Sequence, residues 1–260
     1  MPELPDVEGF RRYFARHARG SLVEAVEAPD RVLVRNRTPQ ALGRAIGDQR
    51  FEAPARHGKW LIAPIGGQEV LMHFGMTGFL RWSSDRDGRH PHDRVIFVCD
   101  GGELRYNNMR RFGGVWLARD PEERDEVTGP LGPDAQDLAR DDFDALLDGR
   151  RGGIKAALMD QRLIAGVGNL LSDEALWRAR IHPATEVSRL GARRRHRLHE
   201  ELEATIAESN RHGRIPPLES WLTGARDDRA GACPRCGTRL RRSRIAGRTS
   251  CWCPRCQRQP

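Results

Sequence analysis

Trp60-Leu61-Ile62-Ala63-Pro64-Ile65-Gly66-Gly67-Gln68-Glu69-Val70-Leu71-Met72-His73-Phe74 reads as two short strands joined by a tight turn. Each arm is a brief apolar run rich in β-branched or aromatic residues, and Gly66-Gly67 punctuates them. Working outward, residues 22–28 and 94–99 have the same character, and Asp100-Gly101-Gly102 marks another turn. Residues 5–18 carry a helical pattern ahead of the first strand. The first part of the chain is therefore expected to be an all-β sandwich with one leading helix.

The pattern changes after Gly129-Pro130. Apolar positions recur at helical spacing over 134–148, over 170–181 behind the turn Gly166-Val167-Gly168, and over 188–211. In the last segment Leu190, Leu198, Leu202 and Ile206 share a face, with Ser188 as the expected cap and Gly213 as the expected stop. Residues 213–231 read as loop, with Pro216, Pro217 and Asp227-Asp228. The fold class is α+β and multidomain: a β-sandwich over 1–125, a helical domain over 130–225 and a cysteine-rich unit over 230–260.

A chain of 260 residues is long enough for more than one core. With 38% hydrophobic and 31% charged residues and no apolar run of membrane length, no membrane span is expected. The acidic start, without a charged-then-apolar pattern, predicts no signal peptide and a cytoplasmic protein. The net charge of +8 points to a polyanionic partner, most often nucleic acid. Lys59 and Lys155 are the two lysines in a chain otherwise cationic through arginine. Lysine can give up its proton far more readily than arginine, so both positions are candidates for a role that needs an amine.

Cys233-x2-Cys236, sixteen residues, then Cys253-x2-Cys256 has the spacing of a four-thiolate zinc site. So short a segment needs the metal to hold a fold, and one structural Zn²⁺ is expected. A disulfide pair is the alternative reading. Cys251 could replace Cys253 only by breaking the repeated spacing, and Cys99 falls within a strand. Arg239, Arg241, Arg242, Arg244 and Arg248 lie between the knuckles, a cationic hairpin suited to phosphate.

Pro2 follows the initiator Met1, and a small second residue normally permits removal of that methionine. The new terminus would be a secondary amine; an α-amino group has a pKa near 8 and is partly unprotonated at neutral pH. Such an amine can attack the C1′ of a deoxyribose and form a Schiff base, with neighbouring Glu3 as proton donor.

The stretch 2–8 resembles the N-terminal signature of the formamidopyrimidine-DNA glycosylase and endonuclease VIII family. The likeness continues through 73–81, Arg105-Tyr106-Asn107-Asn108-Met109-Arg110-Arg111-Phe112-Gly113, 158–174 and the zinc knuckles, in the family's order. The resemblance implies a β-sandwich, a helix–two-turn–helix domain and a zinc-finger β-hairpin, with DNA in the cleft between lobes. It implies a bifunctional glycosylase and abasic-site lyase of base excision repair, acting as a monomer on duplex DNA that holds a damaged base or an abasic site. By that likeness Pro2 is the nucleophile, Glu3 protonates the opening sugar, Lys59 assists β-elimination, and Arg248 holds phosphate and is associated with δ-elimination. Met76, Arg110 and Phe112 match residues that fill the void left by an extruded base. His92, Arg110, Arg150, Lys155 and Asn169 match DNA contacts, and Glu174 an acidic residue near the lesion pocket.

Departures fall mainly on lesion-contacting parts. The segment 213–232 is short where the formamidopyrimidine branch carries a loop that closes over a flipped 8-oxoguanine, and a tyrosine–glycine–arginine element before the finger is missing. Asn108-Met109 stands for the usual Asp-Pro, and Leu171 for a common tyrosine. Formamidopyrimidines, oxidised pyrimidines, bare abasic sites and bulkier adducts are all open as substrates. Two other classes compete. A non-catalytic or abasic-site-restricted DNA binder on the same scaffold would not require Pro2, Glu3 and Lys59 together. A protein-binding zinc ribbon would give a DNA affinity with little salt dependence.

Overall fold

The turn at Gly66-Gly67 folds the chain back so that Ile65 pairs with Gln68, both glycines taking left-handed φ angles of 56° and 74°. A two-residue hairpin loop with positive φ at both positions matches the twist of the flanking strands. The computed structural model describes residues 2–85 and 88–258. They form two compact units, Met1–Pro2 with Asp6–Pro130, and Glu3–Pro5 with Leu131–Pro260.

Among the described residues, the first unit holds eight strands: β1 (Val23–Glu27), β2 (Ala55–His57), β3 (Trp60–Ile65), β4 (Gln68–His73), β5 (Phe79–Ser83), β6 (Asp93–Cys99), β7 (Gly102–Asn107) and β8 (Gly114–Ala118). They pair in two antiparallel sheets, ordered β1-β6-β7-β5 and β2-β3-β4-β8. The core includes Phe14, Phe51 and Phe97, stacked edge-on in succession at 5.0 and 5.6 Å. Helix α1 (Leu4–His17) opens the chain, but it is not the single helix expected: α2 (Pro39–Ile46) and α3 (Pro121–Thr128) accompany the sheets. Both are only eight residues long, too short for a clear period, and are specified by their starts. Thr38 and Asp120 cap them by accepting from Ala41 N and Glu123 N, and proline occupies the first helical position of each.

Several charged side chains lie inside this unit, Arg105, Glu103 and Asp93 among them. Arg105 and Glu103 are fully buried and paired at 2.7 Å. Arg105 also donates to the carbonyls of Asp85 and Gly88, binding the connection that leads to His92 onto the sheet.

The second unit holds α4 (Arg140–Leu147), α5 (Ile154–Met159), α6 (Asn169–Arg178), α7 (Ala192–His212), α8 (Leu222–Ala225) and a hairpin of β9 (Arg241–Ile245) and β10 (Arg248–Trp252). Leu171 and Leu176 of α6 share a core with Leu198, Leu202 and Ile206 of α7. Helix α7 starts at Ala192 with Gly191 before it, not at Ser188, which sits in a separate single turn, Val187–Arg189. It stops where expected: Gly213 is left-handed at φ 62°, and Gly213 and Arg214 donate back to Asn210 and Ser209. Among the described residues, no helix is long and apolar enough to cross a membrane.

His73, at the end of β4, packs its ring against Trp60 at 5.0 Å. Burial and the nearby Lys59 charge lower its pKa from 6.5 to about 4. Between these values the unfolded chain binds the proton and the folded chain does not, so stability falls as pH drops from 6.5 towards 4. The expected loss from this group between pH 7 and pH 5 is roughly 2 kcal/mol. Urea titrations at both pH values should show a smaller pH dependence for His73→Asn than for the parent protein; equal slopes would refute the assignment.

Candidate active site

The second unit is organised around the first turn of α6. Leu170 N and Leu171 N donate to the two carboxylate oxygens of Glu3 at 2.8 and 3.0 Å, and Glu3 is almost fully buried. The first amides of a helix have no partner within it and carry the positive end of its dipole, so a carboxylate is their natural acceptor. Gly168 permits the approach: a Cβ there would lie 2.2 Å from Glu3 Cδ. Leu4 N donates to Gly166 O at 3.1 Å, and Gln161 ties the turn by bonding Val167 O and Gly166 N. Pro2, next in the chain to Glu3, is half-buried.

These bonds alter the reading of Asn169. Two of the helix amides that a phosphate could otherwise use are occupied by Glu3. Asn169 Nδ2 donates to Thr249 O at 3.0 Å, and its buried Oδ1 has no hydrogen-bond partner. Asn169 thus links α6 to β10.

Lys155 also departs from the expected surface contact. Its side chain is wholly buried, and Nζ donates to Asp173 at 2.5 Å and to Ser250 Oγ at 2.6 Å. An ammonium so enclosed cannot itself grip a phosphate in this arrangement. Burial lowers the Lys155 pKa, with Asp173 opposing, and burial raises that of Asp173, opposed by Lys155 and Arg226. Asp173 also accepts from Arg226 Nε and Cys251 N, while Arg226 donates to Thr249 O at 2.7 Å. Thr249, Ser250 and Cys251 are therefore all held, and Arg248, next to them on β10, is exposed. The hairpin turn Ala246-Gly247 has positive φ at both residues, like the turn in the sandwich.

Cys233, Cys236, Cys253 and Cys256 bring their four sulfurs within 4.8 Å of one another. Sulfur separations of 3.5 to 3.9 Å compare with the edge of a tetrahedron about 3.8 Å long that zinc–thiolate bonds impose. The donor set fits a single structural Zn²⁺. Cys251 stays outside the cluster, buried, its thiol pushed up to about 11 by burial. Trp177 Nε1 donates to Cys233 Sγ and Gln257 to Ile181 O, fastening the knuckles to α6 and the turn after it.

Glu174, expected near a lesion pocket, has no exposed surface. Its carboxylate accepts from Arg178 Nε and from Thr223 N, each at 3.0 Å, and Arg178 lies 4.0 Å over the Trp221 ring. It pins the connection between α7 and the zinc unit.

In the first unit, two loops meet backbone to backbone. A Cβ on Gly75, whose φ is +59°, would lie 1.7 Å from Phe112 O, and one on Gly113 would lie 2.1 Å from His73 O. Asn108 donates to Phe112 O at 2.7 Å and to Tyr106 Oη, which itself donates to His73 O. Arg35 clamps the loop through Gly113 O and Arg111 O, and Asp30 pairs with Arg111 at 2.7 Å. The clamp presents Phe112, 52% exposed, with exposed Arg110 lying 5.7 Å from its ring, while Met76 is half-buried. Met109, at 54%, is a further exposed apolar side chain in this loop. Half-buried His92 meets Arg94 at 3.0 Å, and Arg94 also donates to Asn108 O, so His92 belongs to the same assembly. Lys59 sits in the turn between β2 and β3. Arg150 is exposed beyond α4, 3.9 Å from Asp160. Reading the sequence did not single out Arg35, Asp30 or Asp173; for Arg35 and Asp30 no local pattern marks a loop clamp.

A model of the formamidopyrimidine-DNA glycosylase N-terminal domain matches residues 1–115, one of the H2TH domain of the same proteins matches 130–215, and one of a zinc finger found in FPG and IleRS matches 232–259. The formamidopyrimidine-DNA glycosylase of Methylococcus capsulatus is 36% identical over 272 residues, covering 99% of this chain and 100% of the relative. That of Bacillus subtilis is 31% identical over 278 residues, covering 99% of each. A Lactococcus lactis Fpg complex with DNA containing N7-benzyl-Fapy-dG superposes with a TM-score of 0.89 at 28% identity, covering 99% of this chain and 100% of that one. A complex of the same protein with abasic-site DNA gives the same values.

The buried Lys155–Asp173 pair generates a direct test. Removing one partner strands the other charge in the interior, at a cost of about 3–5 kcal/mol. Lys155→Ala should lower the thermal midpoint markedly and speed zinc loss to a chelator. A variant with unchanged stability and only weaker DNA binding would return Lys155 to the surface role.

Proposed function

The chain belongs to the formamidopyrimidine-DNA glycosylase family, and we propose that it removes damaged bases from duplex DNA and cleaves the resulting abasic site, with Pro2 as nucleophile. The observation that carries this reading is the Glu3 carboxylate fixed on the α6 N-terminus, which anchors the residue next to Pro2. Once Met1 is removed, the Pro2 nitrogen attacks C1′, the base leaves with the bonding pair and takes up a proton, and the attacking nitrogen gives up its N–H proton, which restores its lone pair. A proton to the ring oxygen opens the sugar, and the nitrogen lone pair closes to an iminium. A carboxylate oxygen has two lone pairs, so an N–H bond to each Glu3 oxygen leaves room for the proton it delivers. Loss of a C2′ proton then expels the 3′ phosphate, with Lys59 assisting. Arg248, exposed on the gripped strand β10, holds phosphate; loss of the 5′ phosphate would complete δ-elimination.

Phe112, Arg110 and Met76 fill the gap left by the extruded nucleotide. A half-exposed phenylalanine held by a rigid loop supports that role better than core packing. His92 and Arg150 contact the backbone. Asn169 and Lys155 act by holding β10, and Glu174 by holding the strap over 213–232 rather than by touching the base. The substrates named for the Lactococcus relative, an N7-benzyl formamidopyrimidine and an abasic site, are the first classes to assay. The enzyme works in the cytoplasm on chromosomal DNA, as a monomer.

Borohydride reduction should trap a covalent adduct between the processed protein and abasic DNA, and Pro2→Gly should abolish it. No adduct from a correctly processed N-terminus would overturn the reading. Gly168→Ala should push the Glu3 carboxylate off the helix and slow strand cleavage by roughly 100-fold, the scale of a 1 Å misplacement. Zinc content should stay unchanged, and near-normal cleavage would remove Glu3 from the mechanism.

A further inference from the structure

A second cationic surface lies away from Arg248. Strand β10 runs from Arg248 at the hairpin turn to Trp252 beside the zinc knuckles, a separation of roughly 13 Å along the strand. At the knuckle end a wide-open hollow of ≈ 790 Å³ is lined by Arg180, Arg194, Arg235, Arg255 and Arg258, with Cys236 and Cys256 at its wall. A second hollow of ≈ 890 Å³ shares Arg180 and Arg194 and adds Arg193 and Arg197, with Glu200 and Glu201 also on its wall. The arginines come from the turn after α6, the start of α7 and both knuckles, so the fold gathers them from segments far apart in sequence.

Among the described residues, most of these arginines form no ion pair, although Glu200 and Glu201 stand on the wall of the second hollow. Arg195 pairs with Asp144 and Asp148, and Arg226 with Asp173. Among the described residues, Arg180, Arg193, Arg194, Arg255 and Arg258 have no carboxylate partner. Two of the placements work against the fold itself. Arg180 takes a φ of 58° just past α6, where glycine is favoured. Arg193 and Arg194 occupy the first turn of α7, which holds no acidic residue and where the helix dipole disfavours cations. Arg235 is held rigid, 4.3 Å over the Trp177 ring and donating to Trp177 O.

We propose that this arginine-lined hollow is a second phosphate-backbone site, taking a second stretch of duplex DNA while the Arg248 end is occupied. Guanidinium groups match phosphate oxygens as paired donors. Small-molecule sites are enclosed and mostly apolar, whereas this surface is open and cationic, as a rod-like polyanion requires. Two such faces on one unit let the protein pass between neighbouring DNA segments without release. The inference goes beyond the glycosylase reading and does not depend on Pro2 chemistry.

The test uses the full-length zinc-loaded protein, saturated with a duplex holding an uncleavable abasic analogue. A labelled, undamaged duplex is then added at low salt, and stoichiometry is read by analytical ultracentrifugation. The expected result is two duplexes per protein. Arg194→Glu with Arg255→Glu should return the ratio to one while single-turnover excision stays within twofold. The milder Arg180→Gln with Arg194→Gln should weaken only the second duplex several-fold, lowering its logarithmic salt slope by about 0.9 for each lost phosphate contact. One duplex per protein at the outset, an undiminished second duplex in both variants, or capture of poly-glutamate without the second duplex would each overturn the proposal. Failure of the glycosylase reading shows separately, as absence of the trapped adduct.

Discussion

The Glu3 carboxylate on the first amides of α6 is the contact on which the proposed chemistry rests. A chain terminus is ordinarily the least ordered part of a domain, because few contacts repay the entropy of fixing it. Here a buried carboxylate meets two N–H groups that the helix cannot satisfy itself, so terminus and helix each supply what the other lacks. Gly168 is required by the closeness of that approach rather than by backbone conformation, since its φ of −123° suits any residue. The nucleophile assigned here is thus the neighbour of a fixed point.

The same helix positions the zinc hairpin. Asp173, midway along α6, receives Lys155, Arg226 and the Cys251 amide, and these partners reach Thr249, Ser250 and Cys251 on β10. A buried ion pair adds little net stability compared with apolar packing, but it penalises any register in which its charges separate. That penalty suits a hairpin whose own strands are short and only partly buried. Zinc closes the base of the hairpin, and α6 fixes where its exposed arginine stands.

Legibility in the sequence followed the range of each interaction. Strands β1, β3, β4 and β6 were readable because alternation and turn glycines are local, as was the end of α7 at Gly213. The zinc ligands were readable because a tetrahedral ion dictates their spacing. Helices α2 and α3 were missed because eight residues show too little periodicity, and their starts carry the signal instead. The start of α7 was misplaced because Ser188, a good capping residue, lies within a short turn that ends before the helix begins. Invisible altogether were contacts between distant residues: Arg35 with Gly113, Glu174 with Thr223, and Asn169 with Thr249. No local pattern distinguishes an arginine that clamps a loop from one that faces water.

The two lysines illustrate how structure redirects an argument that began in composition. Their scarcity in an arginine-rich chain raised the idea of amines kept for proton chemistry. At Lys155 the geometry supplies a different reason. The ammonium is a compact donor with its hydrogens at tetrahedral angles, and it fits a closed space between a carboxylate and a hydroxyl at 2.5 and 2.6 Å. A planar guanidinium is larger and would need more acceptors than that space offers. Lys59 instead sits in a hairpin turn, and its charge reaches His73, the residue whose carbonyl closely approaches Gly113. Size thus accounts for lysine at Lys155, while the role proposed for Lys59 uses its proton. Composition alone treats the two alike; only burial separates them.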